Sequence, residues 1–156
     1  MISIDVVSES NLWNNKIKKK VLFFNSLVSL FPKKYKFIGK KITLTILLSN
    51  NKNIKKLNKD FRKKNKPTDV LSFPPEKKLN LKKSNYLGDI VISYEFMNKP
   101  KNLDHLSFKE KVIKTFIHGF LHLLGYDHFK LKDFKKMLKE EKKIYEFIKI
   151  KMFKLV

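Results

Sequence analysis

Residues 116–128 read FIHGFLHLLGYDH and contain three of the four histidines in the chain. His118 and His122 are four residues apart, so on a helix both imidazoles project from one face, a single turn apart. Gly125 can adopt the left-handed conformation that ends a helix and reverses the chain. His128 can then supply a third imidazole from the loop. The segment therefore predicts a helix that ends in a tight turn, with three imidazoles converging on one divalent ion.

Three neutral imidazoles are a ligand set for Zn²⁺ and leave a fourth position for water, as catalytic zinc sites do. The spacing H-x-x-x-H-x-x-G-x-x-H is that of the metzincin proteases, but Gly119 stands where they carry the glutamate that serves as general base. Asp127 is a candidate fourth ligand or a partner that orients an imidazole. The prediction is one zinc ion per chain, with nickel or another divalent ion as an alternative. A purely structural metal also remains open.

Hydrophobic spacing predicts the elements around this segment. The sequence predicts four strands, at residues 2–7, at 41–48, between the prolines of 66–75, and at 86–93. Helical spacing predicts helices at residues 11–31, 50–64, 107–124 and 131–153. The sum is one α+β domain over residues 1–156. It has a small mixed sheet of about four strands packed with about five helices, one of them a zincin-like metal helix.

Three local patterns sharpen this layout. Gly88, within a strand, predicts a bulge or a close backbone approach. Ser107 and Glu110 form a capping box that would start the metal helix. The last helix is predicted to bury one stripe, formed by Phe134, Leu138, Tyr145, Ile148 and Met152.

The charge of the chain favours a polyanionic partner. Its 36 basic and 14 acidic residues give a formal charge of +22, which attracts phosphate backbones. The absence of alanine and glutamine indicates a biased nucleotide composition of the gene. The high lysine content is therefore only partly evidence for a polyanionic partner. Arg62 is the one arginine, and its planar guanidinium can grip a phosphate in two places as lysine cannot.

Composition also excludes several classes of protein. Without cysteine the chain has no disulfide, no thiol nucleophile and no cysteine-bound metal. No apolar run approaches the ~18 residues of a membrane span, and residues 1–10 lack the cations of a signal peptide. We therefore expect a cytoplasmic protein without a membrane role.

Four segments carry a specific pattern: HGFLHLLGYDH at 118–128, LNKDFR at 57–62, PTDVLSFP at 67–74 and LGDI at 87–90. Together they resemble the YbeY family of bacterial endoribonucleases, and the resemblance covers about residues 40–130. It implies a zinc-dependent, single-strand-specific endoribonuclease that acts in ribosome quality control and in ribosomal RNA maturation, notably at the 3′ end of the 16S RNA. By position, His118, His122 and His128 are the implied metal ligands, and Arg62 is the functionally important arginine.

The chemistry of the residues agrees with this resemblance. Zinc held by three imidazoles can lower the pKa of its water toward ~7 or polarise a phosphoryl oxygen, without a glutamate base. Arg62 would stabilise the charge that gathers on phosphate oxygens in the transition state, so we predict a catalytic role for it. The expected partner is RNA of the small ribosomal subunit, with no DNA expected; the oligomeric state stays open. Two alternatives remain: a non-catalytic ribosome-assembly factor with a structural metal, and a metallopeptidase.

Other polar and aromatic residues have simpler interpretations. Asp69 is expected to cap a strand rather than act in catalysis. Asp89 would bond a ligand histidine or satisfy backbone groups at a bulge. His105 is expected on the surface, outside the metal helix. The 14 phenylalanines are assigned mostly to the core, because the sequence shows no clear interleaving of aromatic and basic residues on a strand.

Overall fold

The computed structural model describes residues 1–75, 85–101 and 103–152, without the side chain of Met152. The strands are β1 (Ile2–Ser8), β2 (Ile42–Ser49), β3 (Val70–Phe73) and β4 (Tyr86–Ser93). The helices are α1 (Leu12–Lys16), α2 (Lys20–Ser29), α3 (Asn51–Arg62), α4 (Tyr94–Met97), α5 (His105–Leu123) and α6 (Leu131–Met152), with a 3-10 helix at Lys33–Tyr35. The predicted last residue of α6, Phe153, lies outside the described residues. None of the described helices combines the length and the apolar character needed to cross a bilayer.

The four strands form one mixed sheet in the order β1-β2-β4-β3. β1, β2 and β4 are parallel, and β3 is the antiparallel edge strand beside β4. This confirms a single α+β domain with a small mixed sheet. Within the described ranges six α-helices accompany it, against about five expected from the sequence.

Helices α3 and α5 cover opposite faces of the sheet. Val70, Ile90 and Ile92 belong to the main core with α5, whereas Leu71 and Val91 pack with Ile54 of α3 in a smaller cluster. Neighbouring strand residues point to opposite faces, so this division follows from the pleat. The α5 face is the thicker layer, and it supports the helix that carries two of the three histidines.

The single helix predicted over residues 11–31 is wrong, because the chain breaks between α1 and α2. Ile17 is extended, with φ −133° and ψ 96°, yet its side chain is buried. Trp13 before the break and Phe24 after it are also buried. The helical spacing of apolar residues continues across the break, so spacing alone could not reveal it.

The metal helix α5 begins two residues before the predicted start. Asp104 is the N-cap, and its carboxylate accepts a hydrogen bond of 2.9 Å from the Ser107 backbone N–H. Glu110 does not close a capping box; instead it accepts a bond from the Tyr145 hydroxyl and pairs with Lys114. His105 is therefore the first residue of the helix, not outside it, although its side chain is exposed as expected.

The buried face of α6 differs from the predicted stripe. Met137, Ile144 and Ile148 are buried, whereas the side chains of Phe134 and Leu138 are 46% and 51% exposed. Only part of the stripe is confirmed, at Ile148 and at the half-buried Tyr145. Both sets of residues have helical spacing, and contact with α5 decides which one is buried.

Gly88 confirms the predicted close approach. Its φ is +126°, and a Cβ there would lie 2.2 Å from the Phe73 carbonyl oxygen and 3.0 Å from the Leu123 side chain. The missing side chain lets the edge strand and the end of α5 close together at one end of the sheet.

Glu140 anchors α6 to the 3-10 helix. Its carboxylate accepts bonds from the Tyr35 hydroxyl, from Lys34 at 3.0 Å and from Lys143 at 3.1 Å. These bonds, with that of Tyr35 first, lower the pKa of Glu140 to about 2. Glu140 is the neighbour of Glu141 on α6, so the contact of Glu140 with the 3-10 helix also helps to position Glu141 against α5.

We expect the Glu140 contact to stabilise the fold only above acidic pH. Because folding lowers the pKa of Glu140, its contribution is complete above its unfolded pKa of about 4.3 and is lost as the pH falls toward 2. Glu140→Gln should lower the free energy of unfolding by about 1–3 kcal/mol at pH 7. Urea unfolding of both proteins between pH 7 and pH 2.5 should show the difference shrinking. A difference that is constant across this range would contradict the assignment.

Candidate metal centre

The C-terminus of α5 forms the turn that the glycine predicted. The Tyr126 backbone N–H donates to the Leu121 carbonyl at 3.0 Å, and the Gly125 N–H donates to the His122 carbonyl at 3.0 Å. Gly125 has φ +88°. These two bonds and the left-handed glycine make a Schellman motif, which satisfies the last carbonyls of the helix and reverses the chain. The predicted stop at Gly125 is confirmed.

Three imidazoles meet at this turn. Each of His118, His122 and His128 offers one ring nitrogen, and these three nitrogens all lie within 4.8 Å of one another. The Nε2 atoms of His118 and His122 are 3.1 Å apart. The structure therefore brings together the three histidines that the sequence singled out as metal ligands.

The partners of the other ring nitrogens show which atoms are free to bind a cation. His122 Nδ1 lies 2.9 Å from the Tyr126 carbonyl oxygen, and His118 Nδ1 lies 2.6 Å from a carboxylate oxygen of Glu141. Both oxygens accept hydrogen bonds, so each Nδ1 carries the proton. When both rings are neutral, the two Nε2 atoms carry lone pairs and face each other. Two lone pairs at this distance repel unless a cation lies between them.

The spacing of the His118 and His122 donors fits a tetrahedral divalent ion. Two nitrogens bound to zinc at about 2.0–2.1 Å lie about 3.3 Å apart in a tetrahedral site, close to the 3.1 Å between the two Nε2 atoms. His118 and His122 are half-buried and His128 is exposed, so the site is open on one side. Three nitrogen ligands with an open side suit a catalytic ion better than a closed structural site.

The environment of His122 favours its neutral form. Burial of the ring, and then the neighbouring His118, lower the pKa of His122 below its usual value. A neutral imidazole is the form that binds a metal ion. At neutral pH this ring is therefore ready to serve as a ligand.

Gly119 is buried on the face of α5 that packs against the sheet. A Cβ at this position would lie 3.0 Å from the Ile90 side chain and 3.1 Å from Ser72 Oγ. The Ser72 hydroxyl also donates to the Gly119 carbonyl at 3.0 Å. An added side chain would crowd these two neighbours, and with glycine here the site lacks the glutamate that serves as general base in a zincin protease.

Glu141 is a residue of the centre that the sequence did not indicate. It lies on α6, and its carboxylate holds the Nδ1 proton of His118. Carboxylates in this position orient a ligand imidazole and raise its basicity. The only sequence signal is a glutamate on the helix after the histidine turn, and the neighbouring Glu140 carries the same signal while bonding elsewhere.

We predict that Glu141→Gln weakens metal binding about 10–100-fold, because the neutral amide no longer polarises the His118 ring. The affinity is measured by zinc titration against a competing chelator. Glu146→Gln, on the same helix, is the matched control and should leave the affinity unchanged. Equal affinities for the Glu141 variant and the unmodified protein would contradict this role.

The three aspartates considered in the sequence lie outside the ligand set. Asp127, expected as a fourth ligand or as an imidazole partner, instead accepts a bond of 2.7 Å from the His128 backbone N–H and so shapes the loop. Asp69 accepts from the Val70 backbone N–H at the start of β3, which fits the expected capping role. Asp89 accepts from the Tyr86 hydroxyl and does not bond a ligand histidine.

Arg62 is the last residue of α3, on the opposite face of the sheet from α5. Its side chain is exposed and, in the part of the chain that the structure describes, has no hydrogen-bond or ion-pair partner. The adjacent Phe61 ring packs on Phe73 of the edge strand, with ring centroids 5.1 Å apart. Phe73 in turn adjoins Gly88 and the end of α5. Arg62 and the histidines therefore lie at the same end of the sheet, on either side of β3, without direct contact.

Comparison with known proteins places this chain in a family. The model of the family described as endoribonuclease YbeY matches residues 7–149. Endoribonuclease YbeY of Pelagibacter ubique (strain HTCC1062) is 78% identical over 97% of this chain and 99% of its own length. The same enzyme of Fusobacterium nucleatum is 36% identical over 90% of this chain and 82% of its own. The solution structure of a protein from Thermotoga maritima matches with a TM-score of 0.51 and 28% identity, covering 95% of this chain and 89% of that protein.

Proposed function

Because this chain belongs to the endoribonuclease YbeY family and is an endoribonuclease, we propose that it cleaves single-stranded RNA with a divalent ion, zinc foremost, bound by His118, His122 and His128. The observation that carries the proposal is the pair of Nε2 atoms 3.1 Å apart, with a hydrogen-bond acceptor beside each Nδ1 atom. The shape of the donor set and its open side support a reactive ion rather than a structural one.

The residues of the chain have distinct parts in this proposal. The ion would supply a Lewis acid for a phosphoryl oxygen and for water. Glu141 and the Tyr126 carbonyl orient two imidazoles so that their Nε2 atoms bind. Arg62 contributes a bidentate guanidinium for the phosphate oxygens as their charge grows, and it is the residue we assign to catalysis.

Family membership decides between the alternatives that the sequence left open. An endoribonuclease is neither a metallopeptidase nor a non-catalytic assembly factor. Gly119 independently argues against peptide hydrolysis, because it leaves the position of the glutamate base without a carboxylate.

Ribosomal RNA is the substrate that we propose within this activity. The resemblance of residues 57–62, 67–74, 87–90 and 118–128 supports maturation of the 16S RNA 3′ end and ribosome quality control on the small subunit. The formal charge of +22 suits an RNA partner. A cytoplasmic location accompanies this proposal, since the substrate is found there.

Chelation tests the proposal directly. The purified protein is incubated with ribosomal RNA, with a duplex RNA and with casein, in the presence and absence of a strong chelator. We expect cleavage of single-stranded RNA only, lost with chelator and restored by zinc. RNA cleavage that persists in a metal-free preparation would contradict the proposed centre. Analysis of the cut ends then distinguishes attack by the neighbouring 2′-hydroxyl, which leaves a cyclic phosphate, from attack by water.

A further inference from the structure

Exposed aromatic rings and lysines alternate immediately after the third histidine. Residues 129–136 read FKLKDFKK, and all eight are exposed. This aromatic–lysine segment carries two phenylalanines, Phe129 and Phe134, with four lysines against one aspartate. It covers the loop after His128 and the first turns of α6. The interleaving of aromatic and basic residues therefore occurs on a loop and a helix and not on a strand.

The aromatic–lysine segment borders the metal centre. Phe134 lines a cavity of about 120 Å³ together with His118, His128 and Glu141. Phe129 is 90% exposed, and its ring centroid lies 6.2 Å from that of His128. Two exposed rings therefore flank the side of the centre where His128 faces solvent.

Packing does not account for these two rings. Helix α6 is held to the core by Met137, Ile144 and Ile148, and Phe134 is 46% exposed beside that buried face. Six other phenylalanines are buried in the main core: Phe23, Phe24, Phe31, Phe108, Phe116 and Phe120. An exposed aromatic pair beside a reactive centre is the kind of surface that marks a ligand site rather than a core.

We propose that Phe134, with Phe129 beside it, forms a stacking subsite for an unpaired nucleobase of the RNA strand that is cut at the three histidines. This inference rests on the proposed function and adds the recognition of a base to it. A nucleobase presents a flat face that stacks on an exposed aromatic ring, whatever its identity. Lys130, Lys132 and Lys135 would hold the adjoining phosphates.

The subsite gives a physical reason for single-strand specificity. Bases in an RNA duplex are stacked on one another and cannot lie against a protein ring, whereas unpaired bases can be splayed out. Charge favours a nucleic acid over an apolar partner here, because the aromatic–lysine segment carries a net charge of +3, four lysines less one aspartate. Stacking beside the centre would also fix which phosphodiester reaches it.

A fluorescent ring at position 134 tests stacking without reference to cleavage. Trp13 is fully buried, so in the Phe134→Trp protein the new indole is the exposed fluorophore. We expect a short single-stranded RNA to quench it in stopped-flow mixing, before any cutting. An RNA of equal length with abasic riboses, which keeps the phosphates, should not. Equal quenching by both RNAs, or by neither, would overturn the proposal.

Phe147→Trp is the matched control for fluorescence. Phe147 lies on the same helix, is 51% exposed and also has a lysine, Lys151, 5.5 Å from its ring centroid. It is thirteen residues further along α6, about 20 Å from Phe134 by helix rise. RNA should leave the indole at position 147 unquenched. Quenching at both positions would show general coating of a cationic surface and would overturn a specific subsite.

Kinetics provide the second readout. We expect Phe134→Ala to raise KM for single-stranded RNA about 5- to 150-fold while kcat changes little, since one stacked base is lost. Phe134→Tyr should restore the KM, and Phe147→Ala should leave it unchanged. Zinc affinity should be the same in all these variants, which separates the subsite from the metal centre. A Phe134→Ala protein with the KM of the unmodified enzyme would overturn the proposal.

The two proposals fail in different ways. If cleavage survives chelation, the metal assignment fails, while the contrast between normal and abasic RNA still tests stacking. If Phe134→Ala leaves RNA binding intact but abolishes binding to anionic phospholipid vesicles or self-association, the aromatic–lysine segment serves another partner and the nucleobase subsite is refuted.

Discussion

Replacing His122 with alanine should abolish metal binding and RNA cleavage together. His122 is half-buried, and its Nε2 lies 3.1 Å from that of His118. Without His122 only two imidazoles remain, and one of them, His128, is on an exposed loop. A divalent ion would then lose its ligand in the half-buried part of the site. We expect at least a 10³-fold fall in the cleavage rate, because the ion's stabilisation of developing charge is worth several kcal/mol. Metal content by mass spectrometry and single-turnover cleavage measure the two effects.

His105→Ala is the matched control for this prediction. His105 is on the same helix, but it is exposed and stands at the opposite end, about 25 Å from His122 by helix rise. Its loss should change neither metal content nor cleavage. Thermal unfolding of both variants in chelator checks that the fold is intact. A His122→Ala protein that still cuts RNA at a rate near that of the unmodified enzyme would refute the assignment of the centre.

The local part of the site could be predicted because its geometry is set by short-range rules. Spacing of four residues on a helix places His118 over His122, and a glycine that tolerates positive φ turns the chain toward His128. The structure has both features, with the three ring nitrogens within 4.8 Å. Neither feature depends on how the rest of the chain packs.

The long-range part could not be predicted in the same way. Glu141 reaches His118 across 23 residues, and that contact depends on which face of α6 meets α5. The stripe predicted on α6 contained the exposed Phe134 and Leu138 and missed the buried Met137 and Ile144. Because the true buried face differs from the predicted one, neither the Glu141–His118 contact nor the exposure of Phe134 followed from the hydrophobic pattern.

The sheet was predictable for a different reason. Strands β2 and β4 contain the alternating or continuous apolar runs that are typical of half-buried and buried strands. Gly88 marks the place where the backbone of strand β3 lies close to strand β4. The break at Ile17 was not predictable, since the side chain is buried in an extended conformation as it would be in a helix.

Arg62→Lys should lower kcat/KM for RNA cleavage at least about 10²-fold while fold and metal content stay unchanged. The residue is exposed at the end of α3 without a partner in the described ranges, so its replacement removes no contact that stabilises the fold. Its guanidinium can donate two parallel hydrogen bonds to the oxygens of one phosphate, and an ammonium group cannot reproduce that geometry. An RNA strand that crosses the edge strand β3 would meet Arg62 on one side and the histidines on the other.

Lys59→Ala tests whether position or mere charge explains such a loss. Lys59 lies one turn earlier on α3 and is also exposed, so its removal lowers the local charge without touching the guanidinium. We expect Lys59→Ala to lower kcat/KM for RNA cleavage only a few-fold. Arg62→Ala should lower kcat/KM more than Arg62→Lys does, because the lysine variant keeps the positive charge. Two outcomes would contradict the assignment: an equal loss of activity in Lys59→Ala and Arg62→Ala, or normal RNA cleavage by Arg62→Lys. In either case Arg62 would belong to the general cationic surface, and other groups would stabilise the charge on the phosphate.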